Sequence, residues 1–372
     1  MAYEITCSAC GKESTNLLDY KCPFCGNPLT IRVRVDFDRA KIKKSTFSFW
    51  RYAFSFPYIN EADIVTLGEG WTPLVNFSEN VFFKLENLNP TGSFKDRGST
   101  ALISALHKPI KKAGGYISED SSGNAGASVA AYTARAELKA RIYVPEAVSG
   151  PKFSQIQFYG AEVSKVAGDR SAVAAAAQKP EGKKFYVGHI LHPLFSDGIR
   201  TLAYEIVEQM NWESPDFVFV PVSAGTLLLG VLSGFSHLVQ SGIIRSMSTI
   251  IACQTSQVSP LYCKFKNITY APPARITSVA DALISVNPPL LDLMTKALHE
   301  AKGDAAMVEE NETISAFREL AGKGFYVEPS SAVAYAAFKK QIADGRLFEK
   351  ARVVVVLTGS GLKSALRPNE NP

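Results

Sequence analysis

Short apolar segments alternate with helical segments along most of the chain, and this alternation constrains the fold more than any other feature. The expected strands are 81–85, 115–118, 141–144, 161–163, 185–187, 217–220, 250–253 and 353–357, and the expected helices lie near 152–158, 171–177 and 197–210. Such alternation is typical of a parallel sheet with crossover helices. The sequence therefore predicts an α/β protein with parallel sheets.

Length and charge limit the possible classes of protein. The chain has 372 residues, enough for two packed domains and a small appendage. Forty basic and thirty-five acidic residues give a net charge of +5, spread along the chain. This small surplus does not favour nucleic-acid or membrane partners. No apolar run is long enough to span a membrane, and the first eleven residues lack the features of a signal peptide. We expect a cytoplasmic protein.

Four of the six cysteines lie within the first 25 residues, in two Cys-x-x-Cys pairs. The pairs are Cys7 with Cys10, and Cys22 with Cys25. Four sulfurs at this spacing can surround one tetrahedral ion, which predicts a zinc ribbon over residues 1–30 with a closed, structural Zn²⁺ site. The alternative is two thiol pairs without a metal. The two other cysteines are expected to be buried small residues.

Lys95 is the candidate catalytic residue. Pro90 and Gly92 end the strand 81–85, and Ser93 with Asp96 has the spacing of a capping box, so a helix is expected to begin here. A cation in the first turn opposes the helix dipole, and a neighbouring phenylalanine would add desolvation. Both effects favour the neutral amine, which is a nucleophile toward an aldehyde. The alternative is a solvated surface lysine.

Two polar loops open helices directly after expected strands. The loop 121–127 contains glycine and leads into an alanine-rich helix, so it is a candidate site for an amino-acid carboxylate. Asn124 in this loop can hydrogen-bond a phenolic oxygen. The loop 223–226 has small residues that allow a phosphate to approach the backbone. An ordinary strand-to-helix turn is the alternative for each loop.

The stretch 85–98 resembles the cofactor-lysine motif of fold-type II pyridoxal phosphate (PLP) enzymes, most closely the threonine synthase group. The segments 67–74 and 325–331 resemble the same group, and the resemblance covers nearly the whole chain. It implies a tryptophan synthase β-like fold, and we expect the protein to be a homodimer. The expected domains are a zinc ribbon (1–30), an arm whose aromatic residues pack on the main body (31–60), a large PLP domain (61–98 and 188–372) and a small α/β domain (99–187).

The resemblance also implies roles for individual residues. Lys95 would bind the cofactor aldehyde covalently and then act as the base at Cα. The expected cofactor-binding residues are Lys95, Asn124, Ser223, Ala224, Gly225, Thr226 and Thr358, and the expected substrate-binding residues are Ser121, Ser122, Gly123 and His189. Thr358 would place a hydroxyl, not a carboxylate, beside the pyridine nitrogen. A neutral partner there suits elimination and replacement chemistry.

The implied function is that of a PLP-dependent lyase, either threonine synthase, which converts O-phosphohomoserine to threonine, or an enzyme like it. The phosphate-binding Asn-Ser pair and the following Arg of threonine synthases correspond here to His189, Ile190 and Phe195. Isoleucine and phenylalanine cannot hydrogen-bond a phosphate, although Arg200 or His189 could compensate. The alternatives are a cysteate synthase- or dehydratase-like enzyme acting on O-phosphoserine, serine or threonine, and a non-catalytic PLP-binding regulatory protein.

Overall fold

The computed structural model describes residues 2–364 as twelve strands and eleven α-helices. The strands are β1 (Tyr3–Cys7), β2 (Leu29–Val33), β3 (Leu74–Ser78), β4 (Val81–Leu85), β5 (Tyr116–Glu119), β6 (Ala140–Pro145), β7 (Glu162–Val166), β8 (Lys184–Tyr186), β9 (Phe217–Pro221), β10 (Thr249–Thr255), β11 (Asp304–Val308) and β12 (Val353–Leu357). The helices are α1 (Lys95–Lys112), α2 (Asn124–Arg135), α3 (Pro151–Phe158), α4 (Arg170–Gln178), α5 (Pro193–Ile199), α6 (Thr201–Gln209), α7 (Thr226–Gln240), α8 (Pro260–Phe265), α9 (Leu291–Glu300), α10 (Glu310–Gly322) and α11 (Pro329–Ala343).

The chain divides into two compact units. The first unit contains residues up to 70 together with 89–199, and the second contains 71–88 together with the residues from 200 onward. The predicted domain boundaries, which follow the family resemblance, stay a prediction. Within residues 2–364, no helix combines the length and the apolar character that crossing a bilayer requires.

The first unit is built on a four-stranded parallel sheet with the order β7-β6-β5-β8. Its central strands carry completely buried apolar side chains such as Ile117 and Ile142, as expected for a sheet that is covered on both faces. A separate antiparallel hairpin, β1 with β2, carries the N-terminal cysteines. β5 leads directly into the loop 121–123, so the sheet places that loop at the carboxyl end of a central strand.

The arm at 31–60 belongs to the core of the first unit. A 3₁₀ segment, Phe49–Ser55, buries Phe49 and Trp50, and with Phe56 they pack against Ala101 of α1. The indole N–H of Trp50 lies 2.9 Å from the hydroxyl of Thr100. The aromatic residues of the arm therefore pack on the main body, as the sequence predicted.

The second unit is built on a six-stranded sheet with the order β11-β10-β9-β12-β4-β3. All neighbouring strands are parallel except β3, which pairs antiparallel with β4 at one edge. β12 consists of four valines and a leucine, and every one of its side chains is buried. β-Branched residues fit such a strand well, and α11 packs against the same core.

The predicted α/β class is confirmed, and the strand β12 has the predicted bounds. The helix predicted at 197–210 is wrong in its limits. The structure has α5 from Pro193 and α6 from Thr201, with a break at Arg200. Proline is well suited to the first position of a helix, where its missing N–H is not needed. The edge strands β3 and β11 and the helices α8, α9 and α10 were not predicted.

Candidate active site

Lys95 is the first residue of α1, and its amine lies among aromatic side chains. The ammonium nitrogen is 4.7 Å from the centre of the Phe94 ring and 5.7 Å from that of Phe195. Burial lowers the pKa of Lys95 to about 8, while the charge of Glu119 opposes this shift and the charge of Arg170 adds to it. At that pKa, about one amine in ten is neutral at pH 7. The solvated-lysine alternative does not fit this environment.

The predicted capping box at the start of α1 is wrong. Phe94 is the N-cap residue, with no side-chain cap, and the completely buried carboxylate of Asp96 accepts hydrogen bonds elsewhere. Its donors are the backbone N–H of Thr91 at 2.7 Å, the Thr91 hydroxyl at 2.6 Å and the Ser128 hydroxyl at 2.6 Å. Burial explains the difference, because an enclosed carboxylate requires several donors. Asp96 thereby ties the turn before α1 to α2.

The loop 121–123 packs closely against the first turn of α2. A Cβ atom added to Gly126 would lie 1.8 Å from the carbonyl oxygen of Ser121, so only glycine permits this approach. The N-cap residue, Gly123, has no side chain to cap the helix, and Asn124 is the first helical residue. The start of α2 therefore keeps backbone N–H donors without a side-chain cap, which suits a carboxylate ligand.

Glu119 and His189 form a buried pair close to Lys95. The backbone N–H of His189 donates to Glu119 Oε2 at 2.9 Å, and Nδ1 of His189 lies 2.6 Å from Glu119 Oε1. Burial raises the pKa of Glu119 to about 7, and burial together with the charge of Lys95 lowers the pKa of His189 well below its usual value. Burial therefore favours the uncharged form of both residues.

The sequence analysis missed Glu119. Its partner His189 is 70 residues away along the chain, so no local spacing reveals the pair. The one available signal was the pair of adjacent acidic residues, Glu119 and Asp120, directly before the loop 121–127 that was expected to bind a carboxylate. Asp120 is bonded on both oxygens, by the hydroxyl of Tyr186 at 2.8 Å and by the guanidinium of Arg170 at 3.2 Å.

Phe195 connects these residues. Its ring is completely buried and lies edge-on to the His189 ring, with centroids 5.8 Å apart. The same ring contacts Lys95, and it occupies the space where a side chain on Gly98 would lie. The first unit therefore brings Lys95, His189 and Phe195 together.

The second unit contains the predicted phosphate loop. β9 ends at Pro221, and Ser223, Ala224 and Gly225 lead into α7 at Thr226. Gly225 has a left-handed backbone (φ = 106°) and offers no side-chain cap, and Met294 fills the space beside its Cα. The 15-residue helix α7 thus begins with uncapped N–H groups, an arrangement that fits a phosphate.

Thr358 lies directly after β12, and its position is set by Ser331. The two hydroxyl oxygens are 2.9 Å apart, and the Ser331 hydroxyl also accepts from the backbone N–H groups of Thr358 and Gly359 at 3.1 and 2.9 Å. Ser331 belongs to the 325–331 segment identified in the sequence, but its role as an anchor was not predicted. The Thr358 hydroxyl is therefore held in one place.

Glu69 explains the segment 67–74, whose chemistry the sequence left open. Its completely buried carboxylate accepts hydrogen bonds from Trp50 Nε1 at 3.0 Å, the hydroxyl of Thr66 at 3.0 Å and the hydroxyl of Tyr132 at 2.7 Å. The aromatic arm and α2 are thereby joined through one carboxylate. Burial and the neighbouring carboxylates raise the pKa of Tyr132 well above its usual value, so its hydroxyl remains a donor.

The four N-terminal cysteines converge in the first unit. The Sγ–Sγ distances are 3.4 Å between Cys7 and Cys25, 3.7 Å between Cys10 and Cys22, and 3.5 Å between Cys10 and Cys25. Four sulfurs bonded at about 2.3 Å to one tetrahedral zinc ion would be separated by about 3.8 Å. The observed distances are close to that value, and the set is therefore a good fit for a metal ion.

A family model described as pyridoxal-phosphate dependent enzyme matches residues 65–359. The chain therefore belongs to the pyridoxal-phosphate dependent enzyme family. Within that family it is similar to threonine synthases over nearly its full length. The threonine synthase of Methanocaldococcus jannaschii is 32% identical, with 98% of this chain and 95% of the relative covered. That of Methanosarcina acetivorans is 29% identical, with 97% and 92% covered.

Solved structures show that the fold is that of fold-type II PLP enzymes. Maize serine racemase has a TM-score of 0.66 at 22% identity, covering 78% of this chain and 88% of its own. A processed threonine deaminase from Solanum lycopersicum has a TM-score of 0.68 at 18% identity, covering 88% and 86%. The predicted membership in the threonine synthase group of fold-type II PLP enzymes is confirmed. The individual site residues remain predictions.

Proposed function

We propose that the protein is a threonine synthase-like lyase that removes or replaces a group at Cβ or Cγ of an amino acid, with Lys95 as the cofactor lysine. The observation that carries this proposal is the aromatic environment of the Lys95 amine at the uncapped start of α1. The reaction that we propose first is the conversion of O-phosphohomoserine to threonine, and the similarity to proteins named threonine synthase supports threonine as the product.

The predicted cofactor-binding residues suit pyridoxal phosphate. Lys95 and Asn124 would hold the cofactor ring, and the loop of Ser223, Ala224, Gly225 and Thr226 would hold a phosphate. Thr358, anchored by Ser331, would supply the hydroxyl for the ring nitrogen. When bound, the cofactor supplies an electron-withdrawing ring that makes the Cα proton of an amino acid removable.

The proton chemistry would belong to Lys95. With a pKa of about 8, its amine can take a proton from Cα near neutral pH and return it later. The loop of Ser121, Ser122 and Gly123 would bind the substrate carboxylate at the start of α2, and His189 would contact the substrate side chain.

The N-terminal hairpin would hold a structural zinc ion. Cys7 and Cys22 are buried and Cys10 and Cys25 are exposed, and the amide N–H groups of Ala9 and Cys10 point to the Cys7 sulfur at 3.4 Å. Such bonds stabilise a thiolate. The proposal is completed by a cytoplasmic homodimer that acts on a small amino acid, without nucleic-acid or membrane partners.

A second candidate is a related enzyme that acts on O-phosphoserine, serine or threonine. One observation favours it. Phe195, which stands where threonine synthases have the phosphate-binding arginine, has a completely buried ring packed on Gly98. Arg200 is also buried, and its guanidinium bonds to the hydroxyl of Tyr204 in the second unit.

A spectroscopic screen tests the proposal. The purified protein is mixed with a panel of amino acids and their phosphate esters, and the visible absorbance of the cofactor is followed together with release of phosphate, ammonia and threonine. Phosphate release with threonine formation from O-phosphohomoserine supports the named reaction. A response only to serine, threonine or O-phosphoserine supports the second candidate. No spectral response to any amino acid would overturn both and favour a regulatory, non-catalytic protein.

The matched control uses two lysines of the same helix. Lys95→Ala should abolish the cofactor absorbance and all turnover. Lys112→Ala, at the exposed far end of α1, should leave both unchanged. Equal behaviour of the two variants would refute the assignment of Lys95.

A further inference from the structure

We infer that Glu119 and His189 form a proton-donating pair that serves the oxygen leaving from Cβ of the substrate, and that the substituent it serves is a hydroxyl. The inference rests on the second candidate of the proposed function, the enzyme acting on serine or threonine, since it concerns the leaving group in the same site. Glu119 would then take part in the reaction, and the substrates would be β-hydroxy amino acids.

The geometry fixes which nitrogen of His189 is available. Nδ1 is held by Glu119 Oε1 at 2.6 Å, and the backbone N–H of the same histidine holds the other carboxylate oxygen at 2.9 Å. Two bonds between the same two residues leave little freedom for the ring to turn. Among the described residues, none bonds to Nε2 of His189, and the side chain retains 8% exposure. Nε2 is therefore the nitrogen that can meet a ligand.

The pair lies where a leaving group would be released. The His189 ring contacts the Phe195 ring, and the same Phe195 ring contacts the amine of Lys95. The charge of Lys95 also acts directly on His189. A substrate whose Cα is within reach of Lys95 would thus have its side chain near the His189 ring.

The pair can hold one extra proton, compared with the state in which Glu119 is a carboxylate and His189 is a neutral imidazole. That proton lies either on the oxygen of Glu119 or on Nδ1 of His189, and in both arrangements Nε2 carries a hydrogen. The charged groups around the pair are Lys95 on α1, Asp120 after β5 and Arg170 on α4, while Tyr186 on β8 bonds to Asp120. Burial raises the pKa of Glu119 to about 7, so the extra proton is present near and below neutral pH.

The step balances within these residues and the substrate. For a β-hydroxy amino acid, Lys95 takes the Cα proton, and the Cβ–O bond breaks with its electron pair on oxygen. The hydrogen on Nε2 of His189 moves to that oxygen and completes a water molecule. If the extra proton began on Glu119, it moves to Nδ1, which leaves Glu119 as a carboxylate beside a neutral histidine. Solvent later restores the proton to the pair.

Electrostatics favour a hydroxyl over a phosphate ester as the substituent. A phosphate monoester carries a charge of about −1.5 to −2 at neutral pH. The pair is next to a second buried carboxylate, Asp120, and the Arg170 guanidinium is engaged by that carboxylate at 3.2 Å. A hydroxyl carries no charge, but it is a poor leaving group, so it gains most from a donated proton.

The test uses three substrates that differ in their need for a proton: L-serine, O-phospho-L-serine and β-chloro-L-alanine, whose chloride needs none. For His189→Gln and Glu119→Gln we expect kcat/KM with serine to fall about 10²–10⁴-fold, the usual contribution of a general acid. With β-chloroalanine, kcat/KM of both variants should stay within about threefold of the wild-type value. Cofactor absorbance and borohydride labelling of Lys95 should not change in either variant.

His192→Gln provides the matched control. His192 is a completely buried histidine three residues further along the same segment, and its Nδ1 accepts from the backbone N–H of Leu194 at 3.4 Å. Its replacement should affect the three substrates equally. If His189→Gln also slows β-chloroalanine as much as serine, or leaves serine turnover unchanged, the proton-donor role is wrong.

A measurement without turnover completes the test. Nitrogen-15 NMR of the histidine-labelled protein without cofactor should find a hydrogen on Nε2 of His189 at pH 6, and this hydrogen should be lost as the pH rises through about 7. In Glu119→Gln the amide oxygen should accept from Nδ1, so that Nε2 is bare already at pH 6. A bare Nε2 in the wild-type protein at pH 6 would overturn the inference. Failure of the proposed function looks different, because Lys95 would then take no label and no amino acid would react.

Discussion

The replacement of Gly98 by alanine should disturb the packing beside Lys95. Gly98 is in α1, and a Cβ atom there would lie 2.4 Å from two carbons of the Phe195 ring and 2.6 Å from a third. Phe195 is completely buried on α5. Gly198 of α5 lies just as close to α1, because a Cβ atom on Gly198 would be 2.2 Å from the carbonyl oxygen of Arg97. The two helices approach through glycine on both sides.

The expected magnitude follows from these distances. Non-bonded carbons rest at about 3.5–4.0 Å, so the buried ring would have to retreat by about 1 Å or more. Overpacking of this kind costs about 1–3 kcal/mol, and a contact with three ring atoms belongs near the upper value. Alanine is a better helix former than glycine by about 1 kcal/mol, which offsets part of the cost. We expect Gly98→Ala to lower the free energy of unfolding by about 2 kcal/mol.

Urea unfolding measures this change, with Gly322→Ala as the matched control. Gly322 is also a helical glycine, at the end of α10, but a Cβ there would meet no atom within 4 Å. Its replacement should stabilise the protein by up to about 1 kcal/mol. The double variant Gly98→Ala with Phe195→Leu should recover part of the loss. If Gly98→Ala proved as stable as Gly322→Ala, the packing of Phe195 on α1 would be wrong.

Three further results are expected. Lys84→Met leaves the carboxylate of Glu205 buried without the ammonium group that lies 2.8 Å away. The free energy of unfolding measured in urea should fall by about 3–5 kcal/mol. A loss below about 1 kcal/mol would contradict the buried pair. Ser331→Ala removes the acceptor of two buried N–H groups, so the free energy of thermal unfolding should fall by about 1–3 kcal/mol. Dialysis should also remove the cofactor faster from this variant. Unchanged retention of the cofactor would refute the anchoring of Thr358. Cys22→Ser should abolish the zinc found by elemental analysis and expose the N-terminal hairpin to proteases, and a wild-type protein without zinc would contradict the metal site.

Sequence patterns predicted those parts of the fold that depend on local periodicity. β12 is an uninterrupted apolar run, and the alternation of strands and helices specified two parallel sheets. The edge strand β3 was not predicted because its burial is irregular, with only partly buried apolar side chains. The break at Arg200 also gave no local signal, since the apolar spacing continues through it.

The candidate site was partly predictable for the same reason. Lys95 and the two helix-opening loops lie in short contiguous motifs. Glu119 acquires its role only through His189, 70 residues away, and Glu69 acquires its role only through Trp50 and Tyr132. Asp96 had the spacing of a capping residue, but burial directed it to Thr91 and Ser128 instead. Contacts between distant segments decide such roles, and periodicity does not record them.

Borohydride reduction of the purified protein, followed by peptide mass spectrometry, examines the bond between the cofactor and the chain. The buried amine at the start of α1 should carry a pyridoxyl group, so the peptide that contains Lys95 should be the labelled one. A label on another lysine, or no label on a protein that retains its folded structure, would contradict the assignment of Lys95 as the cofactor lysine.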